Sequence, residues 1–464
     1  MYEFNYVSCI LIMYLMNKRV INSQQHIAVR STRGVCQALH SGAGSYYLGI
    51  DYGTSGARCT VIDENESIVS EYKTTYGDGG ASSAKAWELA LVELVESIPS
   101  ETRLGLKAIA IDGTSSSALL VDMDGNPITD AKMYNEAQDP RFVQIISTIA
   151  PPEHTVLSPT STLAKAYAFV DTLHDADTCT LLHQADYIGF LFHRKLGHTD
   201  WNNALKVGFD PALEKYPEWL AANSHVFRIL PRHVHAPGDP VGTIDRKMAD
   251  TFGISESCIV CAGTTDSIAA FLASGAQYPG QSVTSLGSTI AIKLISEKEV
   301  NSSTHGVYSH RLGSSWLVGG ASNSGGAVLR QFFTDEELVS LTADIDVGKP
   351  SGLDYIALPS EGERFPDNDP TLMPRLTPRP REDAVFLQGM LEAMARTEAR
   401  AYRLLEELGA TPVKEVLTCG GGAKNPAWSE LRERLIGVPV SACQQGEASF
   451  GAALLAKRGI EQSL

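Results

Sequence analysis

The sequence predicts an α/β protein of two similar lobes facing a cleft. Three observations carry this expectation. Leu48-Gly49-Ile50-Asp51-Tyr52-Gly53-Thr54-Ser55-Gly56-Ala57-Arg58 reads as a buried strand, a tight glycine turn and a returning strand. A second turn of similar make-up, Gly287-Ser288-Thr289, sits between apolar runs at 282–286 and 290–295. Around each hairpin, short apolar runs alternate with amphipathic helical patterns, as in open α/β sheets.

The bulk properties fit. At 464 residues the chain is long enough for two or three domains, each able to bury a core. Hydrophobic content of 43% and charged content of 20% are those of a soluble globular protein. A net charge of -16 argues against a nucleic-acid or anionic-membrane partner, since binding there is driven by Lys and Arg. A phosphate ligand therefore needs local help from backbone amides and a metal. The eight cysteines have no spacing that suggests a disulfide framework, and most read as reduced, small buried side chains. Cys258 and Cys261 lie three apart in an apparent strand, hence on opposite faces, which argues against a shared metal or redox role.

Taken in order, residues 1–45 stand apart. They hold Lys18, Arg19, Arg30 and Arg33 but one acid, Glu3, so they carry +3 against -19 for the remainder. The apolar run from Tyr6 to Met16 is too short to span a bilayer and has no basic residue before it. The basic, Ser-containing part that follows reads as an organelle transit peptide, the alternative being an untidy start upstream of a cytosolic protein. The folded body is expected to begin at Tyr46. Strands are predicted at 46–51, 57–63 and 67–73. Trp87, Leu91, Leu94, Val95 and Ile98 recur at helical spacing, giving a helix over 84–98. The run 107–112 reads as a parallel strand, ending in Gly113-Thr114-Ser115-Ser116-Ser117 at the usual ligand edge of an open sheet.

The pattern returns after about residue 257. Strands are predicted at 258–262, 282–286, 290–295 and 316–320, then a long helix from Asp383 to Gly409, capped by that glycine. A strand at 416–419 breaks at Gly420-Gly421-Gly422, and a helix over 425–436 begins beside Asn425-Pro426. The Pro-rich stretch 359–380 reads as a surface excursion.

Local chemistry narrows the function. Glycines flanking Thr54 and Ser55 let amide N–H groups converge on an anion, and the hydroxyls add donors. Asp51 repels a phosphate unless a divalent cation lies between them, so it is the candidate metal ligand. A plain hairpin with a turn-forming Asp is the competing reading.

These residues resemble the FGGY carbohydrate kinases, whose fold is the duplicated ribonuclease-H-like fold of the actin and hexokinase type, two lobes around a nucleotide cleft. The resemblance covers roughly 46–460. Its markers are Leu48 to Ser55 for the first phosphate loop, Gly263-Thr264-Thr265-Asp266-Ser267 for the catalytic segment, and Ser285-Leu286-Gly287-Ser288-Thr289 for the second phosphate loop. Thr418 to Pro426 looks like the adenosine segment and Ala448-Ser449-Phe450-Gly451-Ala452-Ala453 like the closing helix. The chain most resembles the plant and cyanobacterial D-ribulose kinase branch, first labelled xylulose-kinase-like, which also accounts for a chloroplast leader.

The resemblance implies a leader over 1–45, an N-terminal lobe over 46–241, a C-terminal nucleotide lobe over 242–446 and a closing helix over 447–464. It implies ATP and Mg²⁺ as cofactors, with Asp266 as the base and Asp51 holding the metal. Gly53, Thr54, Ser55, Gly287, Ser288 and Thr289 surround the phosphates, and Gly421, Gly422 and Asn425 contact adenosine. Helix N-caps are the alternatives for Asp266 and Asn425. Ser115 and Glu136 are the sugar-side candidates beside Asp51 and Asp266. Met133-Tyr134-Asn135-Glu136-Ala137-Gln138 departs from the family's sugar loop, with Glu136 where Asp is usual and Gln138 where Arg is usual; losing that Arg removes a forked donor. Gln388 likewise stands where the family has Glu, and His183 and Trp201 read as scaffold. The expected activity is phosphorylation of a ketopentose, D-ribulose to D-ribulose 5-phosphate, with D-xylulose second. A silent sugar or nucleotide sensor is the competing class. No protein partner is evident.

Overall fold

In the computed structural model, residues 44–152, 154–173 and 178–461 are described. The leader assigned to 1–45 thus lies almost wholly outside the described residues. Two six-strand paths form the frame. In the first, the order is Ile68–Thr75, Gly56–Ile62, Tyr46–Tyr52, Leu106–Gly113, Ile259–Cys261 and Pro240–Thr243. In the second it is Tyr308–Leu312, Ser315–Ser322, Ile290–Ser296, Gln281–Leu286, Glu415–Cys419 and Val440–Ala442. Each sheet runs as an antiparallel hairpin followed by a parallel neighbour reached through a helix, so the duplication expected from sequence is present.

Hairpin register fixes both turn tips. Tyr52 pairs with Ala57, leaving Gly53–Gly56 to turn, and Leu286 pairs with Ile290, leaving Gly287–Thr289. The predicted helices also form, at Ala84–Ser97, Asp383–Glu407 and Pro426–Ile436, and Gly409 turns out of the long helix with φ 101°.

The boundary expected at 242 falls inside the first sheet. Both Pro240–Thr243 and Ile259–Cys261 pair there, and the second sheet starts only at Gln281. The reason is topological, because the fifth strand of the first lobe follows a long insertion. That insertion packs its own core of Leu163, Phe169, Leu181 and Val207 beside the first sheet.

The helix Ala448–Glu461 lies against the first lobe, although it follows the last strand of the second. Gly49 permits the contact, since a Cβ there would stand 2.0 Å from the Ser449 carbonyl oxygen. Thr60 and Ser449 share a hydroxyl hydrogen bond of 2.7 Å, and Lys457 reaches Glu66 at 2.9 Å.

Two further expectations are corrected. Cys419 and Cys443 form a disulfide, with Cα atoms 5.7 Å apart, because they end neighbouring parallel strands. Linear spacing hides this pairing. Cys258 and Cys261 do remain free and pack into separate cores on opposite faces. The Pro-rich stretch is not merely a surface excursion. Glu363 is buried and accepts from the Ser322 hydroxyl at 2.6 Å, and Phe365 covers Gly320.

A buried polar knot holds the second lobe. Arg432 donates to both Glu398 oxygens at 2.6 and 2.8 Å and to the Thr418 hydroxyl at 2.7 Å, while Thr284 also donates to Glu398 at 2.6 Å. It joins two helices to the strands that carry the second turn and the glycine segment. Removing one partner strands a buried charge, so Glu398→Ala should lower unfolding free energy by ~3–5 kcal/mol in denaturant titration. A loss under ~1 kcal/mol would show that Arg432 finds another partner or water.

Candidate active site

Three strand ends build the floor of the site. Tyr46–Tyr52 and Leu106–Gly113 run parallel with Asp51 opposite Asp112, and Thr264 pairs with Asp112 on the other side. Asp266, two residues on, opens the helix Asp266–Ala273. Parallel pairing therefore gathers Asp51, Asp112 and Asp266 at one sheet edge, the edge where open α/β sheets bind ligands. The residue capping that helix is Thr265, and Asp266 occupies its first turn, accepting from the Ser267 N–H at 2.6 Å. So the alternative reading of Asp266 as the N-cap is set aside.

A crevice of about 740 Å³ contains Asp51, Gly53, Thr54, Ser55, Asp266 and Ser267, with Arg58 and Lys73 on its wall and Gly446 and Glu447 beside the closing helix. That volume lies in the range of ligand sites. Thr54 and Ser55 are exposed in it, and the Gly53 N–H closes the hairpin on the Gly56 carbonyl at 3.0 Å. Arg58 is paired with Glu447.

The other lobe presents the second turn. Gly287, Ser288 and Thr289 are backed by the segment 324–327, whose Gly326 and Ala327 N–H groups donate to the Gly287 and Ser288 carbonyls. Beside them Gly420, at φ 84°, would set a Cβ 2.7 Å from the Leu286 carbonyl oxygen, and Gly422 leaves no room against Leu286 and Trp428. Gly421 has open space at the same point. Asn425 is the N-cap of Pro426–Ile436: its carbonyl oxygen accepts from the Trp428 N–H at 2.9 Å and its amide donates to Thr342 at 2.9 Å. Both ends of that side chain are thus engaged within the protein, as the cap alternative holds.

Lys293 joins the halves. It projects from Ile290–Ser296 of the second lobe and donates to the Ser267 carbonyl of the first. Burial pulls its pKa down to about 8, with Asp266 resisting. Burial likewise pushes the Asp266 carboxyl up to about 6, a shift that the Ser267 N–H and Lys293 oppose and the Asp51 charge adds to. Asp51 is raised by burial, and Asp112, fully buried, is held well above the usual carboxylate range by burial and then by the Asp51 charge. Neither oxygen of Asp112 meets a protein donor.

Ser115 follows the Asp112 strand, and its buried hydroxyl has no protein partner. Glu136 is exposed on the loop 133–138, where it pairs with Lys132 at 3.2 Å and takes a bond from Gln138 at 3.2 Å. The substituted Gln138 therefore braces its own loop. His183 bonds Asp186 at 2.8 Å and Trp201 lies under the Arg311 guanidinium, both as scaffold. Asp112, Lys293, Arg58 and Lys73 were missed from the sequence; the one signal available was an acid ending an apolar strand at 112.

Residues 282–460 match the FGGY family of carbohydrate kinases, C-terminal domain. A xylulose kinase of Staphylococcus xylosus is 23% identical over 449 residues, 89% of this chain and 91% of that protein. An L-fuculokinase of Salmonella typhi is 23% identical, covering 89% and 92%. Among solved structures, a xyloylose kinase from Brucella ovis superposes with a TM-score of 0.78 at 21% identity, covering 90% and 91%. Plasmodium falciparum glycerol kinase with ADP gives 0.76 at 15% identity, covering 90% of each chain. These likenesses define the fold as the two-lobed α/β fold of the actin and hexokinase type. The likeness to FGGY carbohydrate kinases therefore rests on the matched segment 282–460 and on relatives at 22–25% identity. Among the described residues no helix is long and apolar enough to cross a membrane.

The charge coupling at the crevice is measurable without substrate. With ¹³C-labelled aspartate, the Asp266 carboxyl, assigned through Asp266→Asn, should titrate near 6. In Lys293→Met it should titrate at higher pH, because a cation that favours the ionised form is gone. A titration left in place or moved lower would refute that coupling.

Proposed function

We propose that the protein transfers the γ-phosphoryl group of ATP to a ketopentose, D-ribulose foremost, giving D-ribulose 5-phosphate. The observation that carries this is the meeting of Asp51 and Asp266 in one crevice with the glycine turn Gly53–Gly56. The preference for D-ribulose rests on the resemblance of the motifs to the D-ribulose kinase branch. D-xylulose is the second reading, favoured by relatives in Staphylococcus xylosus and Bacillus subtilis that are xylulose kinases.

In this reading Asp266 is the general base. As the acceptor oxygen bonds to the γ-phosphorus, the bond to the bridging oxygen of ADP breaks and the hydroxyl proton passes to the Asp266 carboxylate. A pKa of about 6 leaves that carboxylate mostly ionised at neutral pH yet more basic than an ordinary one. Thr54, Ser55 and the turn Gly287–Thr289 hold the phosphates from opposite lobes, and Gly421, with open space where a Cβ would stand, lets adenosine approach the backbone beside Gly422. Ser115 offers its unengaged hydroxyl to the sugar, with Glu136 at the loop above.

Mg²⁺ suits the donor set. It usually takes one or two carboxylates plus substrate phosphates and water, and Asp51 supplies a carboxylate beside Asp112, whose oxygens lack protein donors. Bound there, it would offset phosphate charge that an acidic protein cannot neutralise globally.

Coupled ADP release with a panel of ketopentoses, aldopentoses and glycerol tests the reading. Sugar-dependent turnover is expected with D-ribulose and, less efficiently, D-xylulose. Asp266→Ala should lose about 10²–10⁴-fold in turnover while still binding ATP. No sugar-dependent turnover with any acceptor would favour the sensor instead.

A further inference from the structure

Among the described residues, Lys165 is a buried cation outside the phosphate and base machinery that, unlike Arg432, has no carboxylate bonded to it. Lys165 lies in the first turn of the helix Thr162–Thr172 and is fully buried. Side chains there lean back toward the helix N-terminus, and its Nζ donates to two backbone carbonyls, Ser116 at 2.7 Å and Thr160 at 3.1 Å. Burial pulls its pKa down to about 7, a shift that the Glu136 charge opposes and Lys132 adds to. Keeping an ammonium so enclosed is costly unless its site is built for it.

What it holds is the turn next to Ser115. Ser116 has φ 68°, a left-handed conformation that a residue with a side chain rarely adopts. The rest of the turn is braced from its far side. Gln184 accepts from the Thr114 N–H and hydroxyl at 3.0 and 2.8 Å, and the Ser117 hydroxyl accepts from the Tyr134 N–H of the 133–138 loop at 2.9 Å. The Gln138 N–H in turn donates to the Pro159 carbonyl, next to the Thr160 carbonyl that Lys165 holds. Lys165 is therefore the point where the 113–117 turn, the 133–138 loop and the start of the helix are joined.

We propose that Lys165 is a positioning residue for the acceptor: by holding the Ser116 carbonyl it fixes the left-handed turn that presents the Ser115 hydroxyl to the sugar. This rests on the kinase reading above, and a positioning role of this kind separates acceptor binding from nucleotide binding. Lys165 itself touches neither substrate.

The test uses the full chain and the acceptor that wild type turns over best. Lys165→Met should raise the KM for that acceptor at least tenfold, with the KM for ATP and kcat at saturating acceptor within about threefold of wild type. Ser116→Gly removes the backbone penalty at φ 68°, so the double variant Lys165→Met/Ser116→Gly should recover most of the lost acceptor affinity. Three results would overturn the proposal: an unchanged acceptor KM in Lys165→Met, an equal rise in the KM for ATP, or a loss, including failure to fold, that Ser116→Gly does not restore. Absence of sugar-dependent turnover in wild type would instead overturn the kinase reading, and with it the basis of this one.

Discussion

Parallel pairing of three strand ends forces like charges together, and the rest of the site answers that constraint. Asp51, Asp112 and Asp266 are brought to one edge because Tyr46–Tyr52, Leu106–Gly113 and Thr264–Thr265 lie side by side. In a chain of net charge -16 no general positive field relieves them. Relief is local instead: Lys293 crosses from the other lobe, the Ser267 N–H bonds Asp266, and Arg58 stands near Asp51. Burial at this edge makes the carboxyls more basic than solvent-exposed ones, and the Asp51 charge adds to the shift at Asp112 and Asp266.

The second lobe supplies what the first cannot. Its Gly287–Thr289 turn repeats the first hairpin, and the buried Arg432–Glu398 pair fixes the strand carrying that turn to the strand carrying the glycine segment. The closing helix then returns to the first lobe over Gly49. The chain thus crosses between the lobes more than once, which ties the position of one glycine turn to that of the other.

Much of this was legible from residues alone. Both hairpins, the long helix and the strand before Gly420 follow from local signals: apolar alternation, glycine turns and periodic leucines. What stayed hidden depends on neighbours distant in sequence. Asp112 gains meaning only when its strand pairs with the one ending at Asp51, and Lys293 only when the lobes face each other. Cys419 and Cys443 meet because a helix returns the chain to an adjacent parallel strand. The boundary at 242 was misplaced for a related reason, since a long insertion delays the fifth strand of the first sheet. Lys165 carried no sequence signal, because an isolated lysine on a helix reads as a solvated one.

The most direct measurement is a crystal structure of the protein with Mg²⁺, ADP and the preferred ketopentose. The account predicts the nucleotide phosphates between Gly53–Ser55 and Gly287–Thr289, with an acceptor hydroxyl at about 2.6–3.2 Å from an Asp266 oxygen. A sugar bound away from Asp266, or a nucleotide whose phosphates lie away from those two turns, would contradict it.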